Sequence, residues 1–259
     1  DAQNSLGSMY KNGEGVQQNY QTAIEWYQKS ADQGQAKAQY NLGVMYKNGW
    51  GVVQDDKKAI EWYQKSADQG HADAQNSLGS MYKNGEGVQQ NYQTAIEWYQ
   101  KSADQGQAKA QYNLGVMYKN GWGVVQDDKK AIEWYQKSAD QGHADAQNSL
   151  GSMYKNGEGV QQDDQTAIGW YQKAANQGHA NAQTNLGWMY QNGWGVVQDY
   201  QTAIGWYQKS AEQGHANVQN NLGLMYQNGL GVVQDDQTAI GWYQKAADQG
   251  HAAAQNKLG

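Results

Sequence analysis

The fold is decided by residues 1–36, whose sequence is DAQNSLGSMYKNGEGVQQNYQTAIEWYQKSADQGQA, because this unit recurs through the whole chain of 259 residues. Seven copies and the start of an eighth are predicted, with boundaries at 1–36, 37–72, 73–108, 109–144, 145–180, 181–216, 217–252 and a truncated helix at 253–259. A period of about 20 to 50 residues is typical of arrays in which neighbouring units stack and share one core. The sequence therefore predicts a single solenoid over residues 1–259 rather than a globule.

Each unit contains two amphipathic helical patterns joined by a short glycine-rich turn. In the first pattern, Ala2, Leu6, Met9 and Tyr10 have the spacing of one buried face of a helix. Gly7 lies beside that face and recurs in every unit. Because glycine inside a helix costs about 1 kcal/mol relative to alanine, its recurrence predicts that a neighbouring helix approaches closely there.

The ends of both helices carry recognisable signals. Asn12-Gly13 ends the first helix and Gly34 ends the second, since glycine readily adopts the left-handed conformation that terminates helices. Asn19, replaced by Asp in later units, is the residue type that caps the start of the second helix. Trp26 recurs at one position of this helix, and packing explains that better than a ligand cage. The predicted buried face of the second helix consists of Ala23, Ile24, Tyr27, Ser30 and Ala31.

The frame A-x-x-x-L-G-x-M-Y-x-N-G-x-G-V…A-I-x-W-Y-x-K-(S/A)-A-x-Q-G resembles the Sel-1-like repeat, a relative of the tetratricopeptide repeat, in all seven units. The resemblance implies an all-α fold, a right-handed superhelical solenoid of seven antiparallel helix pairs with 36 residues per repeat. It also implies that the first helices line the concave side. Proteins of this kind act as adaptors and scaffolds that hold other proteins together, and the repeat by itself is not enzymatic.

The units differ mainly at positions 1, 4, 5, 8 and 11 of the first helix, here called the first-helix surface. On a helical wheel these positions lie opposite the buried face, and the resemblance implies that they face the groove. Variation there is also expected at any exposed position that packing does not constrain. If the groove binds a peptide or protein segment, the candidate contacts are Tyr40, Val44, Lys47, Tyr112, Val116, Lys119, Trp188, Gln191, Leu224 and Gln227.

Two further positions carry residue types that bind ligands in other proteins. Trp50, Trp122 and Trp194 follow the Asn-Gly turn, where packing against the neighbouring repeat is favoured over a second contact surface. Histidine recurs just after the second helix, but residues one two-helix repeat apart lie too far from each other to share one metal ion. We therefore expect polar residues at the inter-repeat turn and no metal site from His71, His143, His179, His215 and His251.

Composition excludes several classes of function. The net charge is -6, and the 19 basic residues are all lysine, which disfavours nucleic acid and an anionic membrane as partners. Cysteine is absent, so disulfides and thiolate sites are excluded. No catalytic or phosphate-binding motif is present, and the sequence predicts no catalytic residue, no cofactor and no enzyme. No apolar run is long enough to span a bilayer, and the sequence indicates no compartment.

Residues 73–144 copy residues 1–72 without a change, and this identity supports a second interpretation. The chain would then be an engineered or consensus-type repeat array, cut from a longer sequence, with a structural or self-assembling role and no natural ligand. Head-to-tail association is a further hypothesis, because the two ends of a repeat array are complementary to each other. A glutamate of the second helix becomes Gly169, Gly205 and Gly241 in the last three units, which should therefore fray first.

Overall fold

The computed structural model describes residues 2–259, which form fifteen α-helices and no strand. In the first half of the chain the helices are α1 Ala2–Asn12, α2 Tyr20–Asp32, α3 Ala36–Asn48, α4 Asp56–Asp68, α5 Ala72–Asn84, α6 Tyr92–Asp104, α7 Ala108–Asn120 and α8 Asp128–Asp140. They are followed by α9 Ala144–Asn156, α10 Asp164–Asn176, α11 Ala180–Asn192, α12 Tyr200–Glu212, α13 Ala216–Asn228, α14 Asp236–Asp248 and α15 Ala252–Leu258.

These helices form two compact units, Asp1–Trp134 and Tyr135–Gly259. In the compact unit Asp1–Trp134 consecutive helices from α1 through α7 pack against one another, and in the compact unit Tyr135–Gly259 consecutive helices from α9 through α15 do the same. The two helices of a repeat run antiparallel: in the first repeat Gln3 bonds to Gln33, and the Asn19 amide donates to the Tyr10 carbonyl oxygen. The predicted all-α fold of packed helix pairs is confirmed.

The predicted helix ends are confirmed as well. Asn19 caps α2 by accepting a hydrogen bond from the Thr22 amide at 3.0 Å, and Asp55 caps α4 in the same way. Gly49 ends α3 in the left-handed conformation, with a φ of 66°. Because these signals recur, each helix begins and ends at the same place in its unit.

The recurrent glycine of the first helix is in contact with the second helix, as predicted. A Cβ atom built on Gly7 would lie 2.7 Å from the ring of Tyr27, and one on Gly79 would lie 2.5 Å from the ring of Tyr99. Both tyrosines are almost fully buried. The two helices of a repeat can therefore pack at this distance only because the glycine has no side chain.

The predicted buried face of the first helix is confirmed in later repeats and wrong in the first. Leu42 and Met45 are fully buried, whereas Ala2 and Met9 are exposed and Leu6 and Tyr10 only partly buried. Within the described residues no earlier repeat packs against α1, and the side chains that cover this face elsewhere come from that repeat. The face is thus an interface between repeats.

The tryptophan of the second helix packs between repeats but is only partly buried. Trp62 contacts the core cluster that includes Ala23 and Leu42, so it joins the second repeat to the first. In six repeats the lysine three positions later lies over the indole ring at 3.8 to 4.4 Å from its centroid. A cation above an aromatic face is attracted to it, so this lysine shields the outward face of the ring.

Candidate functional site

In the compact unit Asp1–Trp134 the candidate contacts of α3 already interact with other side chains of the protein. The Tyr40 ring lies 5.0 Å from the His71 ring and 5.7 Å from the Tyr63 ring, between centroids. Tyr40 and Val44 also pack against a core cluster formed by residues of both the second and the third repeat. Lys47 donates to Asp56 and also pairs with Glu86. These side chains join the second repeat to the third.

Lys47 is held by two carboxylates from different repeats. Its Nζ lies 3.1 Å from Asp56 Oδ1 and 2.8 Å from Glu86 Oε2. Desolvation lowers the pKa of this lysine, but its hydrogen bonds to Glu86 and Asp56 outweigh that effect, and the pKa lies above its ordinary value. The charge is therefore largely compensated within the protein.

The corresponding residues of α7 have similar surroundings. Tyr112 and Val116 are partly buried. Lys119 Nζ lies 3.3 Å from Asp128 Oδ1, which corresponds to the contact between Lys47 and Asp56. The structure thus brings each trio onto one helix and leaves little of it uncovered.

In the compact unit Tyr135–Gly259 one candidate contact is exposed, and the other three are partly buried. Trp188 on α11 is 42% exposed, and its ring meets that of Trp194 edge to face at 4.6 Å. The amine of Lys155 lies 4.4 Å from the centroid of the Trp188 ring. Leu224 on α13 is partly buried against the cluster around α14 and α15. Gln227 lies on the same helix and accepts a hydrogen bond from the Tyr243 hydroxyl.

The hydroxyl groups of several buried tyrosines on the second helices bond to side chains of the first-helix surface. The Tyr99 and Tyr171 hydroxyls each lie 3.1 Å from a serine Oγ at position 8, whereas Tyr207 and Tyr243 donate to Gln191 and Gln227 at 2.6 and 2.8 Å. Burial raises the pKa of Tyr99 to about 12, so its hydroxyl keeps its proton. Gln191 and Gln227 are therefore partly committed to the core.

Two depressions lie between α11 and α13. One of about 400 Å³ is lined mainly by Trp188, Gln191, Asn221, Leu224, Asn228 and Leu230. The other, of about 440 Å³, is lined mainly by Asn181, Thr184, Asn185, His215, Asn217 and Val218. The structure thus places three predicted contacts, Trp188, Gln191 and Leu224, around one depression, and Gln227 is not among its lining residues.

The tryptophans of the turns pack against the preceding repeat. The Trp50 ring stacks on the Tyr20 ring at 5.7 Å with an angle of 13° between the planes. Trp122 stacks on Tyr92 in the same manner, at 5.7 Å and 10°. The prediction that these aromatics shield the turn is confirmed for both pairs.

Sequence reasoning missed the specific work of the histidines. His71 and His179 cap α5 and α11, where Nδ1 accepts a hydrogen bond from the backbone amide three residues later at 3.3 and 3.1 Å. In addition, His179 Nε2 lies 3.0 Å from Asp145 Oδ1, at the opposite end of the same repeat in sequence. The signal was their constant position immediately before the first helix.

Amide side chains form two ladders that were also missed. Gln69 donates to Gln39 at 2.7 Å, and Gln39 donates in turn to the Ala31 carbonyl of the preceding repeat at 3.2 Å. Asn41 donates to Asn4 at 2.8 Å across the first junction between repeats. Asn4 belongs to the first-helix surface, which was expected to face the groove, but its side chain is buried. The unvarying glutamines could have revealed the first ladder.

Two further features concern metal binding and membrane insertion. Within residues 2–259, histidine and acidic side chains nowhere gather in a group of three that could hold a metal ion. Over the same residues, no helix combines the length and apolar character required to cross a bilayer.

Comparison with known proteins gives the following similarities. The Sel1 repeat family matches seven times, at residues 1–35, 36–71, 72–107, 108–143, 144–179, 180–215 and 216–251. The crystal structure of c5321, a protective antigen present in uropathogenic Escherichia coli strains and displaying an SLR fold, is 41% identical with a TM-score of 0.85. The match covers 99% of this chain and 55% of the antigen, so the chain spans about half of that protein's length.

A Sel1 repeat protein from Oxalobacter formigenes is 36% identical with a TM-score of 0.85, and the match covers 99% of this chain and 75% of that one. The immunity protein Pa5087 from Pseudomonas aeruginosa is 22% identical with a TM-score of 0.52, covering 84% of this chain and 83% of that one, and shares the fold alone. A search of curated protein sequences found no match.

Proposed function

Because this chain belongs to the Sel1 repeat family, whose members are generally protein-interaction scaffolds, we propose that it binds a segment of another protein along its first-helix surface. The observation that carries the proposal is the exposed Trp188 beside the depression that Leu224 and Leu230 also line. An exposed tryptophan beside partly buried leucines around a concavity is a typical anchor for a partner's side chain. Amide groups on the same wall supply hydrogen bonds that orient the bound segment.

We infer further that the chain has no catalytic activity of its own. His71 and His179 use Nδ1 to cap helices, and that use requires the ring nitrogen as an acceptor. The paired carboxylates Asp163 and Asp164 lie at the start of α10, where Asp163 accepts from two backbone amides. Acids at a helix start favour the helix dipole, which accounts for them without a reaction.

The proposal is tested by selection from a phage-displayed library of random 12-residue peptides. We expect enriched sequences whose synthetic versions bind the chain with a Kd on the order of micromolar, about -8 kcal/mol. Trp188→Ser should weaken the binding of these peptides because it removes the exposed anchor. The fold should be preserved, since serine occupies the same position in the first, third and fifth repeats. Absence of any enriched peptide would contradict peptide binding.

The engineered or self-assembling array is the second candidate, and the identity of residues 73–144 with 1–72 favours it. Exposed apolar side chains on α1 and α14 support head-to-tail association, since Met9 is 38% and Ile240 53% exposed. Sedimentation equilibrium over a rising concentration series should then show chain growth that Ile240→Gln suppresses. A single monomeric mass at every concentration would exclude self-assembly.

A further inference from the structure

The candidate positions on the first-helix surface are not equivalent once the repeats are stacked. On α3, Tyr40 is stacked on His71, and Lys47 is clamped by two carboxylates. On α11, by contrast, Trp188 occupies the position of Val44 and remains 42% exposed. A ligand therefore finds one exposed anchor on α11, Trp188, with the partly buried Leu224 near it on α13.

The two depressions described above follow one another along α11 and α13. Residues 181, 184, 188 and 191 are spaced three or four positions apart, so they form one face of α11. Residues 217, 221, 224 and 228 form one face of α13 for the same reason. We call the space between these faces the α11–α13 valley. It runs from Asn181 and Asn217 at the start of the helices to Trp188 and Leu224 near their ends.

The valley is lined by uncharged side chains. Neither α11 nor α13 has an acidic residue in its first turn or a basic residue in its last, and no Asp, Glu or Lys lines either depression. Lys155 contacts the Trp188 ring but does not line the depressions. Recognition in the valley must therefore come from amide hydrogen bonds and apolar contact rather than from ion pairs.

The two ends of the valley differ in chemistry. At the polar end, Asn185 donates to Asn148 at 3.1 Å, and Asn217 Oδ1 lies 2.9 Å from His251 Nε2. The Asn185 carbonyl oxygen and the Asn217 NH2 group supply an acceptor and a donor for a peptide backbone, and Asn181 lines the same end. His215 also lines this end, and its side chain makes no cap hydrogen bond, in contrast with His179. The apolar end, between Trp188 and Leu224, fits an aliphatic or aromatic side chain.

The length of the helices sets the length of the ligand. α13 has 13 residues, and at about 1.5 Å per residue it is about 20 Å long. An extended chain rises about 3.3 Å per residue, so about six residues span the valley.

We propose that the α11–α13 valley binds an uncharged, extended segment of about six residues from a partner protein, with one aliphatic or aromatic side chain seated between Trp188 and Leu224. The inference rests on the proposed function and narrows it to one site and one class of sequence. It assigns no ligand contact to the corresponding surfaces of α3 and α7, because side chains of α3 pack against a core cluster shared by two repeats and Lys119 of α7 is paired with Asp128.

The test uses hexapeptides blocked by acetyl and amide groups, with a background of Ser, Gly and Asn. A single Leu or Trp is moved through the positions, and parallel sets carry one Lys or Glu. Fluorescence anisotropy of labelled peptides measures binding to the whole chain. We expect binding when the apolar residue is near one end, and weaker binding when a charge is added. The Kd should change less than about twofold between about 50 and about 500 mM NaCl, because no ion pair is screened.

Two variants and a matched control locate the site. Trp188→Ser and Leu224→Ser should each weaken binding at least about tenfold, as expected for residues that hold the apolar side chain of the ligand. Val116→Ser introduces the same residue at the same position of the repeat on α7, and it should leave binding unchanged. Serine is native at this position as Ser80 and Ser152, so all three variants retain the fold.

Each outcome decides between the site and the general function. Binding that Val116→Ser weakens and Trp188→Ser does not would overturn the valley while preserving peptide binding. Preference for Lys or Glu peptides, with affinity that falls as salt rises, would likewise overturn only the uncharged ligand. Failure of both the hexapeptides and the phage-displayed 12-residue peptides to bind would overturn the proposed function as well.

Discussion

Two Gly→Ala substitutions in the fifth repeat should have opposite effects on stability. A Cβ atom on Gly151 in α9 would lie 2.6 Å from Cδ1 and Cε1 of Tyr171 and 3.0 Å from Cγ. A Cβ atom on Gly169 in α10 would meet no atom within 4 Å. The same change thus probes a filled position and an open one within one helix pair.

The magnitudes follow from the space around each site. Carbon atoms in contact are about 3.5 to 4.0 Å apart, so the Tyr171 ring would have to retreat by about 1 Å. The ring is 1% exposed and its hydroxyl is bound to Ser152, so it has no free space to enter. Overpacking costs about 1 to 3 kcal/mol, and a tight site of this kind lies at the upper end. After a gain of about 1 kcal/mol in helix propensity, Gly151→Ala should destabilise the repeat by about 2 kcal/mol.

Gly169→Ala should give only the propensity gain of about 1 kcal/mol. Native-state hydrogen exchange of the α9 and α10 amides measures both effects locally, which matters because a repeat array need not unfold in one step. We expect exchange about 30-fold faster in Gly151→Ala and about 5-fold slower in Gly169→Ala. Equal or greater protection in Gly151→Ala would refute the close approach of the two helices.

Three further predictions concern other parts of the chain. Burial lowers the pKa of His71, with Asp73 raising and Lys37 lowering it further, so the folded state favours the neutral ring; the stability it contributes should be present above about pH 6.5 and lost below it. His71→Gln should flatten this dependence in urea titrations at pH 5 and 7.5, and an unchanged slope would refute it. Asn220 Oδ1 is buried without a partner, and Lys257→Asn should supply the donor that the asparagine ladder has at earlier junctions, stabilising α15 by about 1 kcal/mol in hydrogen exchange; no change in α15 protection would contradict this. The last three repeats should exchange faster than the first four because of their exposed helical glycines, and uniform protection along the chain would count against that.

Much of the fold could be predicted from the chain because its determinants are local. Asn19 caps a helix and Gly49 ends one through bonds to residues close in sequence. Glycine lowers helix stability and yet recurs at the position of Gly7 in every repeat, which predicted a close contact with a neighbouring helix. The group that Gly7 contacts is the Tyr27 ring. The exposure of Met9 was not foreseen, because the covering side chains belong to another repeat.

The candidate site was predicted less completely. The helical wheel placed Tyr40, Val44 and Trp188 on one kind of surface, since each lies on the same side of its own helix. The histidine caps and the amide ladders depend on distances between repeats, which no pattern within a single helix contains. Only the constancy of those residues hinted at their work.

The sequence alone therefore determined the helix pairs, their ends and the glycine contact between them, because each depends on spacing within about 36 residues. The tertiary structure decided which side chains of the first-helix surface remain available. Tyr40 is covered by His71 and Lys47 is bound by Glu86, whereas Trp188 remains exposed. The exposure of each position depends on which side chains the neighbouring helices and turns place over it. That is a property of the stacked helices rather than of any one of them.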